Sequence, residues 1–403
     1  MVIRINNGNY TPAGARYFSA VFFRAAAQIA KLRKHVDVIL AETDTCPQNR
    51  YSTGAMSLHT HFSGTILEGV AGAKHWITRL SSFEPESGRA YRKILSRYRG
   101  FYDTLSSLVP SLHWRGFRIP VLSEPVLKLK GELNGGEDVY NGWGECVLER
   151  LGLPMYFSSE NSGVLCLEGE NIHLTDDEIL EALKGPVFLS SDSAAALIQR
   201  GFGPYLGVDV RPWTGKQPSG EQYADNQNRS GAQMKNRELV PNQEGVIVDS
   251  MVYNTVDGEH CTPLFPGSTI YKNELGGTVF TFSGTPKTRY ILTEAFSYLN
   301  YSRKQQLTRM LRMAGEAPLW YPHDEEVYLR AADMDDGGLF CAMFNLGLDP
   351  IEEVELCVDR PVSRIEKLMP DGTLRALSFT EKNGVFTLDT ACYTLDPLVL
   401  LIH

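Results

Sequence analysis

Glu42 is the residue whose type and position most favour chemistry. It follows the run from His35 to Ala41, which is apolar and β-branched and predicts a strand, and it begins a polar loop that extends to Pro47. A carboxylate at the end of a strand can attack an anomeric carbon or stabilise positive charge. Glu42 can also simply solvate the loop. Asp44 lies two residues further on, so we assign it a supporting role or an Asx turn.

The elements around Glu42 alternate between strand-like and helix-like patterns, which predicts parallel βα units. The predicted strands are Val2–Ile5, His35–Ala41 and Gly72–Ile77, and the predicted helices are Ala15–Lys34, Thr53–Val70 and Arg89–Leu108. Periodicity alone fits either a doubly wound sheet or part of a barrel. A complete (β/α)8 barrel takes about 250 residues, so we expect only part of one here.

The following segment also has an α/β pattern. Strands are predicted at Phe117–Leu122, Pro154–Phe157, Val164–Leu167 and Thr278–Ser283, with helices at Trp143–Leu151, Thr175–Leu183 and Arg303–Ala314. The run from Gly185 to Leu197 predicts a strand, a tight polar turn and a helix that ends at Gly201. This arrangement is flavodoxin-like. We expect a linker at Pro110–Arg115, and an excursion with little regular structure at Arg211–Asn242, which is rich in Gly, Gln, Asn and Pro.

The last segment, from Glu326 onward, has short apolar runs separated by turns. Strands are predicted at Val327–Ala331, Leu339–Asn345, Glu353–Val358, Arg364–Leu368, Val385–Leu388 and Leu398–Ile402. The pairs Asp371-Gly372 and Asn383-Gly384 are strong hairpin signals, because both residue types tolerate φ > 0. The segment is therefore predicted to be a small antiparallel β domain.

Composition and charge exclude several classes of protein. The 403 residues carry a net charge of −9 with no basic stripe, which argues against a nucleic-acid partner. The apolar runs are shorter than the roughly 20 residues of a membrane-spanning helix. The seven cysteines form no CxxC pair, so we expect buried, reduced thiols. The sequence holds no phosphate-binding or metal-binding motif, and we predict no cofactor and no metal.

A long run around Glu42 carries a family resemblance. The run is HVDVILAETDTCPQNRYSTGAMSLHTHFSGTILEGVAGAKHWITRL. It resembles the seventh and eighth βα units of large bacterial glycoside hydrolases similar to the β-galactosidases of glycoside hydrolase family 42 and to related three-domain families, including a β-mannosidase family. In those enzymes the barrel is followed by an amidotransferase-like trimerisation domain and a small antiparallel β domain.

The resemblance implies three domains. Residues 1–112 would be strands six to eight of a TIM-type barrel, residues 113–322 an amidotransferase-like trimerisation domain, and residues 323–403 an antiparallel β-sandwich. It also implies a homotrimer and a carbohydrate substrate, and we expect a cytoplasmic protein because MVIRINNGNY lacks the apolar core of a signal peptide.

The same resemblance assigns roles to individual residues. Glu42 would be the nucleophile of a retaining enzyme that acts on β-linked sugars. Tyr10 would donate a hydrogen bond to it, and Trp76 would stack against a sugar. Both aromatic residues also fit simple packing. Asn6 and Asn7 have the polar character needed to bind sugar hydroxyls, and we rank them above Arg4, which also fits a charge inside a barrel.

Some expected features of such an enzyme are not in this sequence. The acid/base carboxylate should follow barrel strand four, which the resemblance puts outside this chain, so we expect the chain alone to be inactive. The alternative is a non-catalytic carbohydrate-binding or oligomerisation protein. The turn Ser190-Ser191-Asp192-Ser193 has no cysteine where an amidotransferase holds its nucleophile. His59 and His61 lie two apart on a predicted helix, so we expect surface or interface histidines and no metal pair.

Overall fold

The computed structural model describes residues 1–5, 17–43, 53–73, 85–121, 142–158, 162–168, 174–225, 229–231, 237–255, 261–286 and 298–403. None of the helices in these ranges is both long enough and apolar enough to span a membrane. Strands outnumber helices in the described residues, and the strands form five sheets.

The N-terminal unit is a parallel sheet of three short strands packed against helices. Its strands follow one another in chain order as β1 (Val2–Ile5), β2 (Val38–Ala41) and β3 (Gly72–Ala73). Helix α1 (Tyr17–Leu32) connects the first two strands, and α2 (Ala55–Leu67) lies between the second and third. The three strands and the first two helices agree with the sequence prediction, with Gly72–Ile77 described only as far as Ala73.

The third predicted helix is two helices, α3 (Pro85–Arg97) and α4 (Arg99–Leu108), which meet at Tyr98. The expectation of one helix over Arg89–Leu108 was wrong because the Phe101 amide donates a hydrogen bond to Pro370 O at 3.2 Å, outside the helix. A continuous helix would use that amide for the carbonyl four residues earlier. The contact therefore ends α3 and ties α4 to the terminal part of the chain.

The expected surface histidines are both buried. His59 is fully buried and stacks on Tyr98 with 3.7 Å between the ring centroids, while Tyr102 Oη lies 2.9 Å from His59 Nδ1. His61 is 7% exposed. The prediction failed because helices α3 and α4 and the terminal sheet cover α2, which the spacing of two histidines does not reveal. Burial lowers the pKa of His59.

The middle unit has a central parallel sheet. Its strands are β5 (Phe117–Pro120), β6 (Met155–Ser158), β7 (Val164–Leu167), β8 (Pro186–Ser190) and β15 (Thr278–Phe282). Counted along the chain, the five strands lie in the order 2-1-3-4-5. This is the strand order of flavodoxin-like, doubly wound sheets. The helical elements are a π-helical turn at Gly144–Leu148 and helices α5 (Asp176–Ala182), α6 (Ser191–Gln199) and α7 (Tyr301–Met313).

An antiparallel extension continues this sheet beyond β15. It adds β14 (Cys261–Lys272), β13 (Ile247–Thr255), β10 (Gly220–Tyr223) and β11 (Arg229–Gly231), while β9 (Val208–Pro212) pairs separately with β12 (Arg237–Pro241). The expectation of little regular structure at Arg211–Asn242 was therefore wrong. Strands such as Gly-Glu-Gln-Tyr have weak β propensity, and backbone pairing with β13 keeps this one in the sheet.

The terminal unit contains two antiparallel sheets. The larger has the order β21-β20-β24-β18-β17-β4, and the smaller has the order β16-β19-β23-β22. Their bounds are β4 (Leu112–Arg115), β16 (Leu319–Trp320), β17 (Val327–Met334), β18 (Leu339–Asn345), β19 (Val354–Val358), β20 (Ile365–Leu368), β21 (Leu374–Ala376), β22 (Phe379–Lys382), β23 (Val385–Leu388) and β24 (Leu398–Ile402). Both predicted hairpins are present, and Asn383 and Gly384 have φ values of 56° and 78°.

Strand β4 lies where a linker was expected. Residues 112–115 pair with β17 and form the edge of the larger sheet, even though the middle unit separates the two strands in sequence. The expected linker at Pro110–Arg115 is therefore largely a strand. Its sequence Leu-His-Trp-Arg alternates apolar and polar residues, but four residues are too few to distinguish a strand from a linker, and pairing with β17 defines the strand.

The larger terminal sheet is covered on both faces. One face shares a core with the smaller sheet, and the other packs against the N-terminal helices. Phe22 of α1 lies 4.9 Å from Tyr328 and 5.2 Å from Phe344, measured between ring centroids. All seven residues of β18 are buried, which explains why Leu339–Asn345 is an almost uninterrupted apolar run.

A buried ion pair crosses this junction. Arg330 of β17 pairs with Glu68, which follows α2, and their side chains are only 3% and 8% exposed. Tyr328 Oη donates a second hydrogen bond to Glu68 Oε1 at 3.3 Å, and the Arg330 guanidinium lies 4.3 Å from the centre of the Trp114 ring. Each charge is thus compensated inside the protein.

We expect Arg330→Met to destabilise the protein by about 3–5 kcal/mol, because it leaves the Glu68 carboxylate buried without its cation. The double variant Arg330→Met with Glu68→Leu should regain much of this loss, since no charge remains. Denaturant unfolding measures both free energies. Glu86→Gln, which removes an exposed ion pair with Arg89, is the control and should change stability by less than about 1 kcal/mol. A cost below about 1 kcal/mol for Arg330→Met would contradict the assignment.

Candidate functional site

Glu42 lies at the carboxyl end of β2, the central strand of the N-terminal sheet. Its amide donates a hydrogen bond to Ile5 O at 3.1 Å, which aligns the ends of β1 and β2. Its side chain is 7% exposed, and Oε1 lies 2.8 Å from Arg4 Nη1. A carboxylate this buried needs compensation for lost hydration, and the Arg4 guanidinium supplies it.

The Glu42–Arg4 pair lies on the sheet face that points away from the helices. Ile5, Ile39 and Ala41 belong to the core shared with α1 and α2, whereas Arg4 is 45% exposed. Side chains alternate between the two faces of a strand, so Arg4 and Leu40, which are paired in register, project to the other face. In a sheet covered by helices on one side, this second face is the one that can meet a ligand.

The other predicted site residues lie outside the described residues. These are Asn6, Asn7, Tyr10 and Trp76, together with the supporting candidate Asp44. Their proposed roles stay predictions. Arg4, which the sequence ranked below the two asparagines, is the predicted residue that the structure brings to Glu42. The sequence signal was the placement of Arg4 and Glu42 near the carboxyl ends of consecutive predicted parallel strands, because such ends lie at the same edge of a sheet.

The carboxyl edge of the middle parallel sheet is a second candidate region, since ligands of doubly wound sheets bind at this edge. Ser190 ends β8 and caps α6, with Oγ accepting a hydrogen bond from the Ser193 amide at 3.2 Å. Ser191 Oγ donates to Ser283 O at 2.6 Å, and Ser193 Oγ donates to Glu168 Oε2 at 3.2 Å. These hydroxyls hold the turn together.

Glu168 is a buried acid that the sequence analysis missed. It directly follows β7 and is 3% exposed. Burial raises the pKa of Glu168 to about 7, partly offset by hydrogen bonds from Ser190 and Ser193. The sequence feature that could have revealed Glu168 is its position immediately after the apolar run Val164–Leu167. In the described residues, no hydrogen bond joins Ser190, Ser191 or Ser193 to a histidine, so this turn does not hold a nucleophile with its base.

A buried polar network holds α7 against the antiparallel extension. Arg303 pairs with Glu221, and each side chain is 1% exposed. The Arg303 guanidinium also lies within 6 Å of four aromatic ring centres, those of Trp143, Tyr223, Phe282 and Tyr298.

A second residue of α7, Gln306, adds hydrogen bonds to the same region. Its side-chain amide donates to Asp249 Oδ2 at 2.6 Å and to Ser268 Oγ at 2.9 Å. One face of α7 is thereby fixed in place.

The thiols and possible metal ligands give no reactive centre in the described residues. Cys146, Cys166, Cys341, Cys357 and Cys392 are free and buried, as the sequence predicts. Burial raises the pKa of Cys392 to about 12, so this thiol stays protonated. Within the described ranges, no group of three or more His, Cys, Asp or Glu side chains is arranged to hold a metal ion.

Comparison with known proteins gives a likeness of fold. No protein-family model and no curated protein matches the sequence. Among solved structures, the chain is similar to α-L-fucosidase isoenzyme 2 from Paenibacillus thiaminolyticus, with a TM-score of 0.58 and 11% identity. The match covers 98% of this chain and 64% of the fucosidase, so the chain spans less than two thirds of that protein.

Two further glycosidases give weaker matches. A rhamnosidase from Novosphingobium sp. PP1Y has a TM-score of 0.46 and 10% identity, over 100% of this chain and 34% of the other. An exo-carrageenase of family GH42 from Bacteroides ovatus has a TM-score of 0.37 and 8% identity, over 87% of this chain and 39% of the other. On the fucosidase match, the chain has a fold like that of a glycoside hydrolase, which confirms the predicted likeness at the level of the fold.

The buried Glu168 predicts a pH-dependent difference in stability between the wild type and Glu168→Gln. Because the pKa of Glu168 is about 7 in the folded protein and ordinarily 4.5, the folded protein binds this proton more tightly than the unfolded chain does. The resulting stabilisation is complete below pH 4.5 and is lost as the pH rises through 7. At about 1.36 kcal/mol per pKa unit, the wild type should lose roughly 3 kcal/mol relative to the variant between about pH 4.5 and pH 8.

Urea unfolding of both proteins across this pH range measures the difference. Glu181→Gln, at an exposed carboxylate on α5, is the matched control and should give a difference that does not vary with pH. A constant difference for Glu168→Gln as well would mean that Glu168 keeps its ordinary pKa in the folded protein.

Proposed function

We propose that this chain is the C-terminal part of a retaining glycoside hydrolase that acts on β-linked sugars, such as a β-galactoside or β-mannoside, with Glu42 as the nucleophile. The observation that carries the proposal is the position of Glu42. It is a buried carboxylate at the carboxyl end of a parallel strand, on the face opposite the helices and paired with Arg4. In (β/α)8 barrels, catalytic side chains come from these strand ends.

The proposed chemistry follows from a carboxylate held in this way. Glu42 attacks the anomeric carbon, a bond forms between the two, and the bond to the leaving oxygen breaks while an acid gives that oxygen a proton. Water then attacks the same carbon and gives a proton to the former acid, and the Glu42 carboxylate is released. Retaining enzymes hold the two carboxyl groups about 5–5.5 Å apart. Arg4 keeps the Glu42 carboxylate compensated and oriented.

The remaining assignments belong to the same proposal. Residues 1–112 would supply barrel strands six to eight, and the acid would come from strand four, in sequence encoded upstream. Asn6, Asn7, Tyr10 and Trp76 would contact the sugar. Residues 113–322 would be the amidotransferase-like domain that joins three protomers. Two features of the turn from Ser190 to Ser193 support assembly as the role of this domain. The turn has no cysteine, and its serines make structural hydrogen bonds.

The test is hydrolysis of a panel of nitrophenyl β-glycosides. The protein is assayed as it stands and as a version extended by the sequence encoded upstream. We expect no turnover by the chain alone and turnover of one substrate by the extended protein. Glu42→Gln should lower kcat by roughly 10⁶-fold, the size of the loss when another covalent nucleophile is removed. A 2-fluoro glycoside of the preferred sugar should add its mass to the peptide that contains Glu42.

Glu86→Gln is the matched control, because it changes an exposed carboxylate on α3 in the same unit. It should leave kcat unchanged. If the extended protein is inert on the whole panel, or if its activity is indifferent to Glu42→Gln, the nucleophile assignment is wrong. The chain would then be better explained as a non-catalytic carbohydrate-binding or oligomerisation protein.

A further inference from the structure

A cleft of about 250 Å³ lies between helix α7 and the end of β16 with the two residues that follow it. Residues on the helix face form one wall, and residues 320–322 form the other. The lining residues are Tyr301, Lys304, Gln305, Thr308, Arg309, Arg312, Trp320, Tyr321 and Pro322. The helix residues recur at intervals of three and four, which places them along one side of α7. The cleft is far in sequence from Glu42.

The cleft is cationic although the protein is acidic. None of its nine lining residues carries a carboxylate, whereas three carry a positive charge, in a chain whose net charge is −9. Arg309 is compensated by Asp249, 2.6 Å away, and by Asp225, 3.6 Å away. Arg312 and Lys304 have no carboxylate within ion-pair distance in the described part of the chain. The cleft therefore has two cations that an anion can pair with.

The environment of these two cations favours an incoming anion. The Lys304 ammonium donates a hydrogen bond to His323 O and lies 4.7 Å from the centre of the Tyr321 ring. An ammonium has three N–H donors, so donor capacity is left. Burial lowers the pKa of Lys304 to about 8, whereas the nearby charges of Asp324 and Glu325 raise it.

Arg312 is the more accessible of the two cations. It is an exposed residue, and its guanidinium lies 4.9 Å from the centre of the Trp320 ring.

The other lining groups suit a ring with hydroxyls. Trp320 is partly exposed and offers an indole surface, Tyr301 is 43% exposed, and Gln305 and Thr308 supply an amide and a hydroxyl. The volume is slightly below the roughly 300–1,000 Å³ of pockets for drug-sized ligands, so it fits one sugar ring. The opposite side of α7 is held by the Arg303–Glu221 pair, which keeps this wall in place before a ligand arrives.

We propose that this cleft is a binding site for a sugar that carries an anionic group, either the carboxylate of a uronic acid or a sulfate ester. The anionic group pairs with Arg312 and Lys304, and the ring packs against Trp320. The choice of a sugar as the ligand class rests on the proposed function, whereas the preference for an anion rests on the lining residues alone.

Binding to the full chain is the direct test, measured by calorimetry at low salt. The probes are methyl β-glucuronide, methyl β-galactoside 6-sulfate, the two neutral methyl glycosides and inorganic sulfate. We expect the anionic sugars to bind at least tenfold more tightly than their neutral counterparts, because hydrogen bonds between charged groups are stronger than those between neutral groups. The tighter of the two identifies the anionic group.

Variants separate the site from general charge effects. Arg312→Gln, at an exposed position, should weaken binding of the preferred sugar at least tenfold. Arg99→Gln, an 84% exposed arginine on α4, is the matched control and should leave Kd unchanged. Lys304→Met tests the buried cation, and the unfolding midpoint shows whether that variant is folded. If it is not, Arg312→Gln alone decides.

Three outcomes would overturn the proposal. Neutral and anionic sugars that bind equally, or an Arg312→Gln variant that binds as well as the wild type, would remove the role of the cations. Inorganic sulfate that binds as tightly as the sugars would reduce the cleft to an anion site without a sugar. Binding to the cleft is measured on the chain as it stands, and the nucleophile is tested by turnover of the extended protein, so a failure of the proposed nucleophile and a failure of this site are distinguishable.

Discussion

The buried pair between Glu68 and Arg330 is the interaction on which the arrangement of the chain most depends. A charge removed from water is tolerated only with a partner, so each residue requires the other at the junction. Glu68 follows α2, the helix between β2 and β3, and Arg330 lies in the larger terminal sheet. The pair and the surrounding aromatic core therefore connect the sheet that holds Glu42 to the C-terminal unit.

The same solution recurs in the middle unit. Arg303 and Glu221 are almost fully buried and lie far apart in sequence, and their pairing fixes α7 against the antiparallel extension. A buried pair of this kind contributes little net stability but penalises any arrangement that separates its members. Glu68–Arg330 connects the N-terminal unit to the terminal sheets, whereas Arg303–Glu221 joins two elements of the middle unit.

The Glu42–Arg4 pair and the packed core of the N-terminal unit lie on opposite faces of the same sheet. Helices and the terminal sheet cover one face of the N-terminal strands, and the Glu42–Arg4 pair lies on the other. In the middle unit, the Ser191 hydroxyl at the turn after β8 makes a structural hydrogen bond. The cationic cleft lies on the side of α7 opposite the Arg303–Glu221 pair. Under the proposed function, catalysis at Glu42 and binding of an anionic sugar at the cleft would use different surfaces of the chain.

The sequence by itself determined the local features. The β-branched run before Glu42 places that carboxylate at a strand end, Thr175 and Glu178 form the capping box that begins α5, and Asn383-Gly384 forms its hairpin. Each of these features depends on residues only a few positions apart, so residue types and their spacing are sufficient to predict it. The likeness to glycoside hydrolases was also visible in the sequence, at the level of the fold.

Only the tertiary structure decided which distant residues meet. It paired β4 with β17, drew the weakly β-forming strand Gly220–Tyr223 into the central sheet, and buried His59 beneath Tyr98. These contacts join residues tens to hundreds of positions apart, and local propensity does not encode them. They form because buried backbone, aromatic and charged groups must all find partners at once in a packed interior.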